Sequence, residues 1–136
     1  MNGTEFNVKT PLVAEQEFIV EEKDTAVNQR SGEVNVLGTP RLLALMEEVS
    51  YKSVANLLPE GSVSVGTEMN IKHLKPSVVG EKLKCKSILR EADGRKLVFD
   101  ITVSDKRETV GEGTCTRFVV DKARFEQKAI KTSKES

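Results

Sequence analysis

One segment near the middle of the chain has the apolar spacing of an α-helix. Between Pro40 and about Leu58 the apolar residues recur at helical rather than alternating intervals. The helix is expected to begin at Thr39 and Pro40, because a threonine can cap free N–H groups and a proline fits the first helical position. It is expected to end at Pro59, since proline cannot continue a helix and the glycine that follows two residues later permits a turn.

The apolar surface of this helix is wide. Only a narrow stripe carrying Arg41, Glu48 and Lys52 is polar. At about 100° per residue, the apolar side chains cover more than half of the circumference: Leu42, Leu43, Leu45, Met46, Val49, Val54, Leu57 and Leu58. A helix with so much apolar surface must be wrapped by other elements.

Five segments have strand character. One precedes the helix at residues 17–22, and four follow it at residues 63–74, 81–90, 96–105 and 110–120. The links at residues 92–94 and 106–109 are short and polar, which favours antiparallel pairing over crossover helices. One long helix followed by a four-strand meander, with a further strand in front, predicts an α+β hot-dog fold, in which an antiparallel five-stranded sheet wraps around one long central helix.

Charge and hydropathy exclude several classes of function. Lys plus Arg number 21 and Asp plus Glu number 21, so the formal net charge is zero. Such a balance gives no long-range attraction to nucleic acid or to an anionic membrane, although a local basic patch is compatible with it. No stretch approaches the roughly 20 apolar residues of a membrane span, and the N-terminus lacks the layout of a secretory signal. We therefore expect a cytoplasmic protein without nucleic-acid or membrane partners.

The two cysteines indicate no metal site. Cys85 and Cys115 lie far apart in the sequence and form no ligand cluster, so we expect reduced thiols in the core. Because the chain has a single histidine, we expect no Cys/His zinc site and assign no metal. The 136 residues have room for one domain, expected over residues 1–126, followed by a polar, frayed C-terminal tail over residues 127–136.

Two adjacent glutamates of the helix have different neighbours on the helical wheel. Glu48 falls in the polar stripe beside Arg41 and Lys52, whereas Glu47 lies about 100° away among apolar positions. A carboxylate on a buried face is costly unless a partner binds it, so Glu47 is a candidate functional residue. The alternatives are a glutamate at the helix edge, or one that pairs across a dimer interface.

The single histidine, His73, ends the strand that starts at residue 63. Strict alternation places it on the apolar side of that strand, which should face the helix, together with Val63, Val65, Thr67, Met69 and Ile71. A lone histidine on such a face is either a satisfied core residue or a catalyst.

Three further residues are candidates, and each also has an ordinary structural explanation. Thr39 can simply cap the helix, but a helix N-terminus also presents N–H groups and partial positive charge suited to a developing oxyanion. About 12 Å of axial rise separates Thr39 from Glu47, which a substrate could span but a direct hydrogen bond could not. Gly66 interrupts a strand, as at a bulge or a close approach. Arg117 lies in the last strand, where an edge salt bridge would account for it.

Several short motifs stand in order along the chain. In GTPRLLALME a threonine is followed eight positions later by a glutamate, and in the block ending NIKH a glycine precedes a histidine by seven positions. DGRKL, GEGT, Arg117 and KARF follow. In their order and spacing, from about Val36 to Phe125, these motifs resemble the fluoroacetyl-CoA thioesterase family of hot-dog proteins.

The resemblance implies an acyl-CoA thioesterase that hydrolyses a thioester to a free acid and CoA without a cofactor. It implies a homodimer whose two sheets pair and whose active sites lie near the interface. Thr39, Glu47 and His73 would form the catalytic core, with Glu47 either activating water or attacking the carbonyl directly. Gly66 and Arg117 would contact the acyl group or shape its pocket.

One departure from the family and two alternative functions complete the sequence-based interpretation. The fluoroacetyl enzyme has phenylalanines that form a lid shortly before the threonine, whereas residues 26–38 here include no aromatic residue, which argues against fluoroacetate selectivity. A non-catalytic acyl-CoA-binding module would use the same cleft, but it would usually carry an effector domain. A hydratase on this fold typically uses an Asp and a His close together before the helix, and no such pair exists here.

Overall fold

The computed structural model describes residues 8–135 of the chain. This part of the chain folds into strands β1 (Leu12–Ile19), β2 (Ser62–His73), β3 (Lys82–Asp93), β4 (Lys96–Ser104) and β5 (Thr109–Asp121), and helices α1 (Thr39–Ala55) and α2 (Lys122–Glu135). A short 3₁₀ turn at Glu22–Asp24 lies between β1 and α1. No helix within residues 8–135 is both long enough and apolar enough to cross a membrane.

The strands form one antiparallel sheet in the order β1-β3-β4-β5-β2, and α1 contacts all five of them. This arrangement confirms the predicted hot-dog fold. The predicted four-strand meander is wrong, however, because only β3, β4 and β5 follow one another as neighbours. The link between β2 and β3, residues 74–81, is too long for a tight hairpin, and β2 pairs instead with β5 at the far edge.

The core lies between α1 and the sheet. Its fully buried side chains come from the helix and from the central strands, including Leu42, Leu45, Met46, Leu83, Leu89, Leu97, Phe99, Ile101 and Val103. The sheet does not cover α1 on every side. Ala44, Tyr51 and Ala55 follow one line along the helix and are exposed. In this chain alone, part of the wide apolar surface of α1 therefore remains open.

The two ends of the described chain differ from the prediction. β1 begins at Leu12 rather than at residue 17. Every second residue from Leu12 to Phe18 turns towards the core, but a polar inward residue, Gln16, and an apolar outward one, Val13, mask the alternation. Residues 127–135 belong to helix α2 and are not frayed. Their composition explains this, since lysine, glutamate, glutamine and alanine favour helix, and the Lys122–Glu126 ion pair (3.1 Å) supports the first turns.

Candidate active site

The start of α1 is fixed by a buried carboxylate in the segment before it. Asp24, which is 1% exposed, accepts hydrogen bonds from the backbone N–H of Glu21 (2.8 Å) and from Nε of Arg41 (3.1 Å). The Arg41 guanidinium also lies 4.6 Å from the centre of the Phe18 ring. The backbone N–H of Gly38 donates to the Asp24 carbonyl at 2.8 Å. These contacts join β1, the 3₁₀ turn and the first turn of α1 into one unit.

Thr39 does not cap the helix, contrary to the sequence-based prediction. The N-cap is Gly38, whose extended backbone (φ −77°, ψ 143°) starts the helix one residue earlier than predicted, and no side chain caps it. The Thr39 hydroxyl instead lies 2.8 Å from Nδ1 of His73. Helix capping therefore does not explain the threonine at this position. Thr39 pairs instead with the chain's single histidine.

The first turn of α1 leaves one backbone N–H for a ligand. Arg41 and Leu42 both donate to the Gly38 carbonyl at 3.0 Å, and Pro40 has no N–H. The Thr39 N–H has no hydrogen-bond partner among residues 8–135. It lies beside the Thr39 hydroxyl at the positive end of the helix dipole, which suits a site that binds a developing oxyanion.

His73 is half-buried and carries its imidazole in an environment that favours the neutral form. Burial lowers the pKa of His73 below its usual value of 6.5, and an interaction with the backbone of Lys75 opposes this shift. In a neutral imidazole, Nδ1 either accepts from the Thr39 hydroxyl or donates to the Thr39 oxygen, according to the tautomer. Its Nε2 is buried and has no partner of good geometry within residues 8–135.

A β-bulge in β2 decides which side chains face the helix. The register against β5 shifts between Gly66 and Glu68, so that Gly66 lies opposite Arg117 while His73 lies opposite Gly111. Opposite residues share a face, and both Arg117 and Gly111 are buried. Gly66 and His73 therefore both face α1. The predicted strict alternation is wrong before the bulge, since one extra residue moves the preceding part of β2 to the other face.

Glu47 and Gly66 meet Arg117 at the other end of this face. Nη1 of Arg117 lies 3.3 Å from Oε2 of Glu47, while its Nε and Nη2 donate to Oγ (2.8 Å) and the carbonyl (2.9 Å) of Ser64. The guanidinium lies over Tyr51 at 5.7 Å. A Cβ at Gly66 would lie 2.7 Å from Oε2 of Glu47, so a side chain at this position would displace the carboxylate from the strand.

The predicted difference in burial between the two glutamates of α1 is wrong for the single chain. The side chain of Glu47 is 36% exposed and that of Glu48 is 30% exposed. A helical wheel gives the direction of a side chain, but it does not show which element covers that direction. The two carboxylates differ in their partners instead. Glu48 pairs with Lys52 (2.6 Å), whose hydrogen bond lowers the pKa of Glu48, whereas Glu47 pairs with the buried Arg117.

The five predicted site residues fall into two clusters. Thr39 and His73 form one, and Glu47, Gly66 and Arg117 form the other. Eight helical residues correspond to about 12 Å between Thr39 and Glu47, and seven strand residues to about 20 Å between Gly66 and His73. One chain therefore does not bring the two clusters together. The sequence analysis missed Ser64 as a partner of Arg117, because nothing in the sequence distinguishes this serine from any other serine in a half-exposed strand.

A cleft of about 330 Å³ opens beside Thr39 and His73. Small and aliphatic side chains of the segment before α1 line one side of it, including Ala26, Val34, Val36 and Leu37. Lys75 and Pro76, which follow β2, line the other side. The cleft therefore offers an apolar surface next to a hydroxyl, an imidazole and a helix N-terminus.

The curled antiparallel sheet around α1 places the chain in the hot-dog class, whose solved members include thioesterases. Fluoroacetyl-CoA thioesterase FlK has a similar structure, with a TM-score of 0.87 and 22% identity, over 92% of this chain and 97% of that chain. A hot-dog-like protein from Thermanaerovibrio acidaminovorans aligns with a TM-score of 0.83 and 23% identity, over 90% of both chains. A thioesterase superfamily member from Thermus thermophilus aligns with a TM-score of 0.86 and 17% identity, over 95% of this chain and 96% of that chain.

Sequence comparison gives the particular family. The family described as "FlK: Fluoroacetyl-CoA-specific thioesterase" matches residues 20–123. A fluoroacetyl-CoA thioesterase from Streptantibioticus cattleyicolor is 28% identical over 93 residues, which are 68% of this chain and 67% of that protein. The chain belongs to the fluoroacetyl-CoA-specific thioesterase family, and its class of activity is thioester hydrolysis.

The burial of His73 predicts a pH dependence of folding stability. Because the pKa of His73 is lower in the folded than in the unfolded chain, the unfolded chain binds more protons as the pH falls below about 6.5. The free energy of unfolding should therefore decrease from pH 7.5 to pH 5.5 in urea titrations. His73→Gln should flatten this dependence, since the chain has no other histidine. An unchanged slope in the variant would contradict the assignment.

Proposed function

We propose that this protein is a cytoplasmic acyl-CoA thioesterase that acts as a homodimer, with Thr39, Glu47 and His73 as catalytic residues. The observation that carries the proposal is the pair formed by the Thr39 hydroxyl and the His73 imidazole at the N-terminus of α1, beside an apolar cleft. Membership in the thioesterase family supports a thioester as the substrate. The cytoplasm is supported by the free, buried thiols of Cys85 and Cys115, since disulfides are rare in a reducing compartment.

The reaction uses the groups at the start of α1 to polarise the thioester. The carbonyl oxygen accepts from the Thr39 hydroxyl and N–H, where negative charge develops as the carbon becomes tetrahedral. The hydroxyl proton is available for this contact when Nδ1 of His73 carries the imidazole proton and donates to the Thr39 oxygen. The carboxylate of Glu47 either takes a proton from attacking water or attacks the carbonyl itself, giving an anhydride that water then hydrolyses. In both routes the C–S bond breaks, the CoA thiolate receives a proton, and one oxygen of water remains in the acid. His73 orients Thr39 and passes to the thiolate the proton that the water releases, so that its imidazole is neutral again at the end of the cycle.

A second copy of the chain completes the site, because one chain keeps the two clusters apart. β2 is an edge strand, and its free side is available for pairing with another β2. We take two β2 strands to pair antiparallel about Asn70. With Thr67 as the extra residue of the bulge, this register would set His73 opposite Gly66 of the partner subunit. The partner subunit's Glu47 then faces the Thr39–His73 pair. Each site in this arrangement takes residues from both chains.

The open face of α1 supports this dimer. Ala44 and Tyr51 are exposed in the single chain, and Tyr51 lies against the guanidinium of Arg117. Apolar surface beside a free strand edge is the combination that a second copy of the same chain covers. The same contact would bury Glu47 further, as the helical wheel predicted, and would restrict the access of water to its carboxylate.

The segment that lines the cleft predicts the choice of acyl group. Its residues Ala26, Val34 and Val36 are small, and residues 26–38 contain no aromatic side chain that could close over a two-carbon acyl group. We expect acyl-CoA hydrolysis with little preference for fluoroacetyl over acetyl, because small apolar differences yield only about 1–3 kcal/mol. Competing the two CoA esters at equal concentration gives the ratio of their specificity constants. A preference of about a thousandfold for fluoroacetyl-CoA, about 4 kcal/mol, would contradict this prediction.

The two glutamates of α1 provide a matched test of catalysis. Glu47→Gln should lower kcat for acetyl-CoA by about 10²–10⁴-fold, because the amide neither accepts a proton nor attacks the carbonyl. Glu48→Gln, with the same change one residue away, should stay near the wild-type rate, since Glu48 pairs with the exposed Lys52 whereas Glu47 pairs with Arg117. Equal rates in the two variants would remove Glu47 from the mechanism. Wild-type protein that binds acyl-CoA but hydrolyses none would indicate the non-catalytic binding module instead.

A further inference from the structure

A buried carboxylate lies behind the start of α1 and outside the reaction. Among residues 8–135, Asp24 is the only fully buried acidic residue, with 1% of its surface exposed. Removing a carboxylate from water is costly, and a well-packed apolar pair often stabilises a fold as well as a buried ion pair does. The stability of the fold therefore does not by itself explain an aspartate at this position.

Asp24 holds the beginning of α1 at two points, one on either side of Thr39. Its main-chain carbonyl accepts the N–H of Gly38 at 2.8 Å. Its Oδ1 accepts a hydrogen bond from Nε of Arg41 at 3.1 Å. Only Thr39 and Pro40 lie between these two points. One residue therefore fixes the segment that carries the Thr39 hydroxyl and N–H.

The chain on the N-terminal side of this segment is closely packed. A Cβ at Gly38 would lie 3.1 Å from Cα of Ala26 and 3.1 Å from Oγ of Ser31, so the N-cap has little room to move. Leu37 also forms a β-bridge with Thr25. The packed part of the molecule thus extends up to the N-cap, and the carboxylate contact orients the helix beyond it.

Charge explains why the first turn of α1 needs a partner from another segment. This turn contains Arg41, no acidic residue and no side-chain cap. A cation there lies at the positive end of the helix dipole, which is unfavourable, and Asp24 supplies the missing negative charge. Both carboxylate oxygens are in use, because Oδ2 accepts the N–H of Glu21 at 2.8 Å. A side chain with one acceptor oxygen could not serve both donors.

We propose that Asp24 is a positioning residue, which fixes the Thr39 hydroxyl and N–H where the oxyanion forms. This inference rests on the proposed function, because it concerns the groups that polarise the thioester. Donors stabilise an oxyanion at about 2.7–3.1 Å, and a misplacement of about 1 Å can lower the rate about 100-fold. Asp24 does not line the cleft, so its loss should change kcat and leave KM nearly unchanged.

The first test changes the carboxylate without changing its shape. Asp24→Asn replaces one acceptor oxygen by an NH₂ group, which leaves one of the two donors facing another donor. We expect kcat for acetyl-CoA to fall about tenfold or more and KM to stay within about twofold of wild type. In Asp24→Asn/Arg41→Gln, the glutamine can present its amide oxygen to the new NH₂ group. Both contacts are then restored, and kcat should return to within about threefold of wild type.

A matched pair of variants tests the same contact from the side of Arg41, which is 24% exposed and therefore easier to replace. Arg41→Gln places an amide nitrogen where Nε was and keeps the donor, whereas Arg41→Met has a stem of similar length and no donor. Both lose the guanidinium above the Phe18 ring. We expect Arg41→Gln to keep kcat within about threefold of wild type and Arg41→Met to lose about as much as Asp24→Asn.

A control variant separates lost stability from lost position. Ser87→Ala removes the buried hydrogen bond between Ser87 and Ser50 (3.1 Å), away from the start of α1. It should lower the free energy of unfolding in urea titrations and leave kcat per folded protein unchanged. Asp100→Asn, which breaks the exposed pair with Arg90 (2.7 Å), should change neither quantity appreciably.

The imidazole resonances of His73 separate this proposal from the proposed function. They are unambiguous in NMR spectra because the chain has one histidine, and they report the contact with Thr39 without any substrate. Asp24→Asn and Arg41→Met should shift them, whereas Arg41→Gln and Ser87→Ala should not, whether or not the protein hydrolyses thioesters. Unshifted resonances in Asp24→Asn would overturn the proposal. Equal losses of kcat in the two Arg41 variants, or a loss confined to KM, would also overturn it.

Discussion

Helix α1 has more apolar surface than one sheet can cover, and the rest of the structure depends on this constraint. Burying Leu42, Leu45 and Met46 requires the sheet to curl around the helix, which all five strands contact. The curl still leaves the side that carries Ala44 and Tyr51 exposed. The same helix therefore organises the core of one chain and leaves a surface suited to a second copy. Glu47 lies beside that surface, so the constraint on packing is also a constraint on where the chemistry can occur.

The bulge in β2 turns this packing arrangement into a possible site. Without the extra residue, Gly66 and His73 would point to opposite faces, because seven positions is an odd number along a strand. With it, both face α1, His73 meets Thr39, and the absence of a side chain at Gly66 admits the carboxylate of Glu47. Bulges at the edge of a sheet commonly redirect side chains in this way. The bulge makes the edge strand irregular, and it places the residues at both ends of the strand on the face that contacts α1.

The sequence predicted the elements better than their environment. Helix α1 and the hot-dog fold were predicted because apolar spacing and the residues that end elements act locally. The bulge could not be predicted, since an extra residue in a strand leaves no mark in the apolar pattern. Thr39 was expected to cap the helix, but the N-cap is Gly38. Threonine and glycine are about equally good N-cap residues, so the sequence alone does not show which of these neighbours begins the helix. The family resemblance grouped Thr39 with His73, whereas the residues alone gave no contact between them.

The partners of charged residues were likewise beyond the sequence. Arg117 was assigned an edge salt bridge or a role in the acyl pocket, and it lies buried between Ser64 and Glu47, which are distant in sequence. Burial of Glu47 was predicted from its direction on the helix, but the direction of a side chain does not show whether another element covers it. Long-range contacts of this kind depend on register and on assembly, neither of which has a local signal.

The most direct measurement is the activity of purified mixed dimers. A dimer of one Thr39→Ala chain and one Glu47→Gln chain, isolated by two different tags, has one intact site if each site takes Thr39 from one chain and Glu47 from the other. It should recover about half of the wild-type rate, whereas either parent is inactive. A mixed dimer of Thr39→Ala and His73→Ala chains should recover nothing, because both residues serve the same cluster. An inactive first dimer, with the two chains demonstrably paired, would contradict a site shared between subunits.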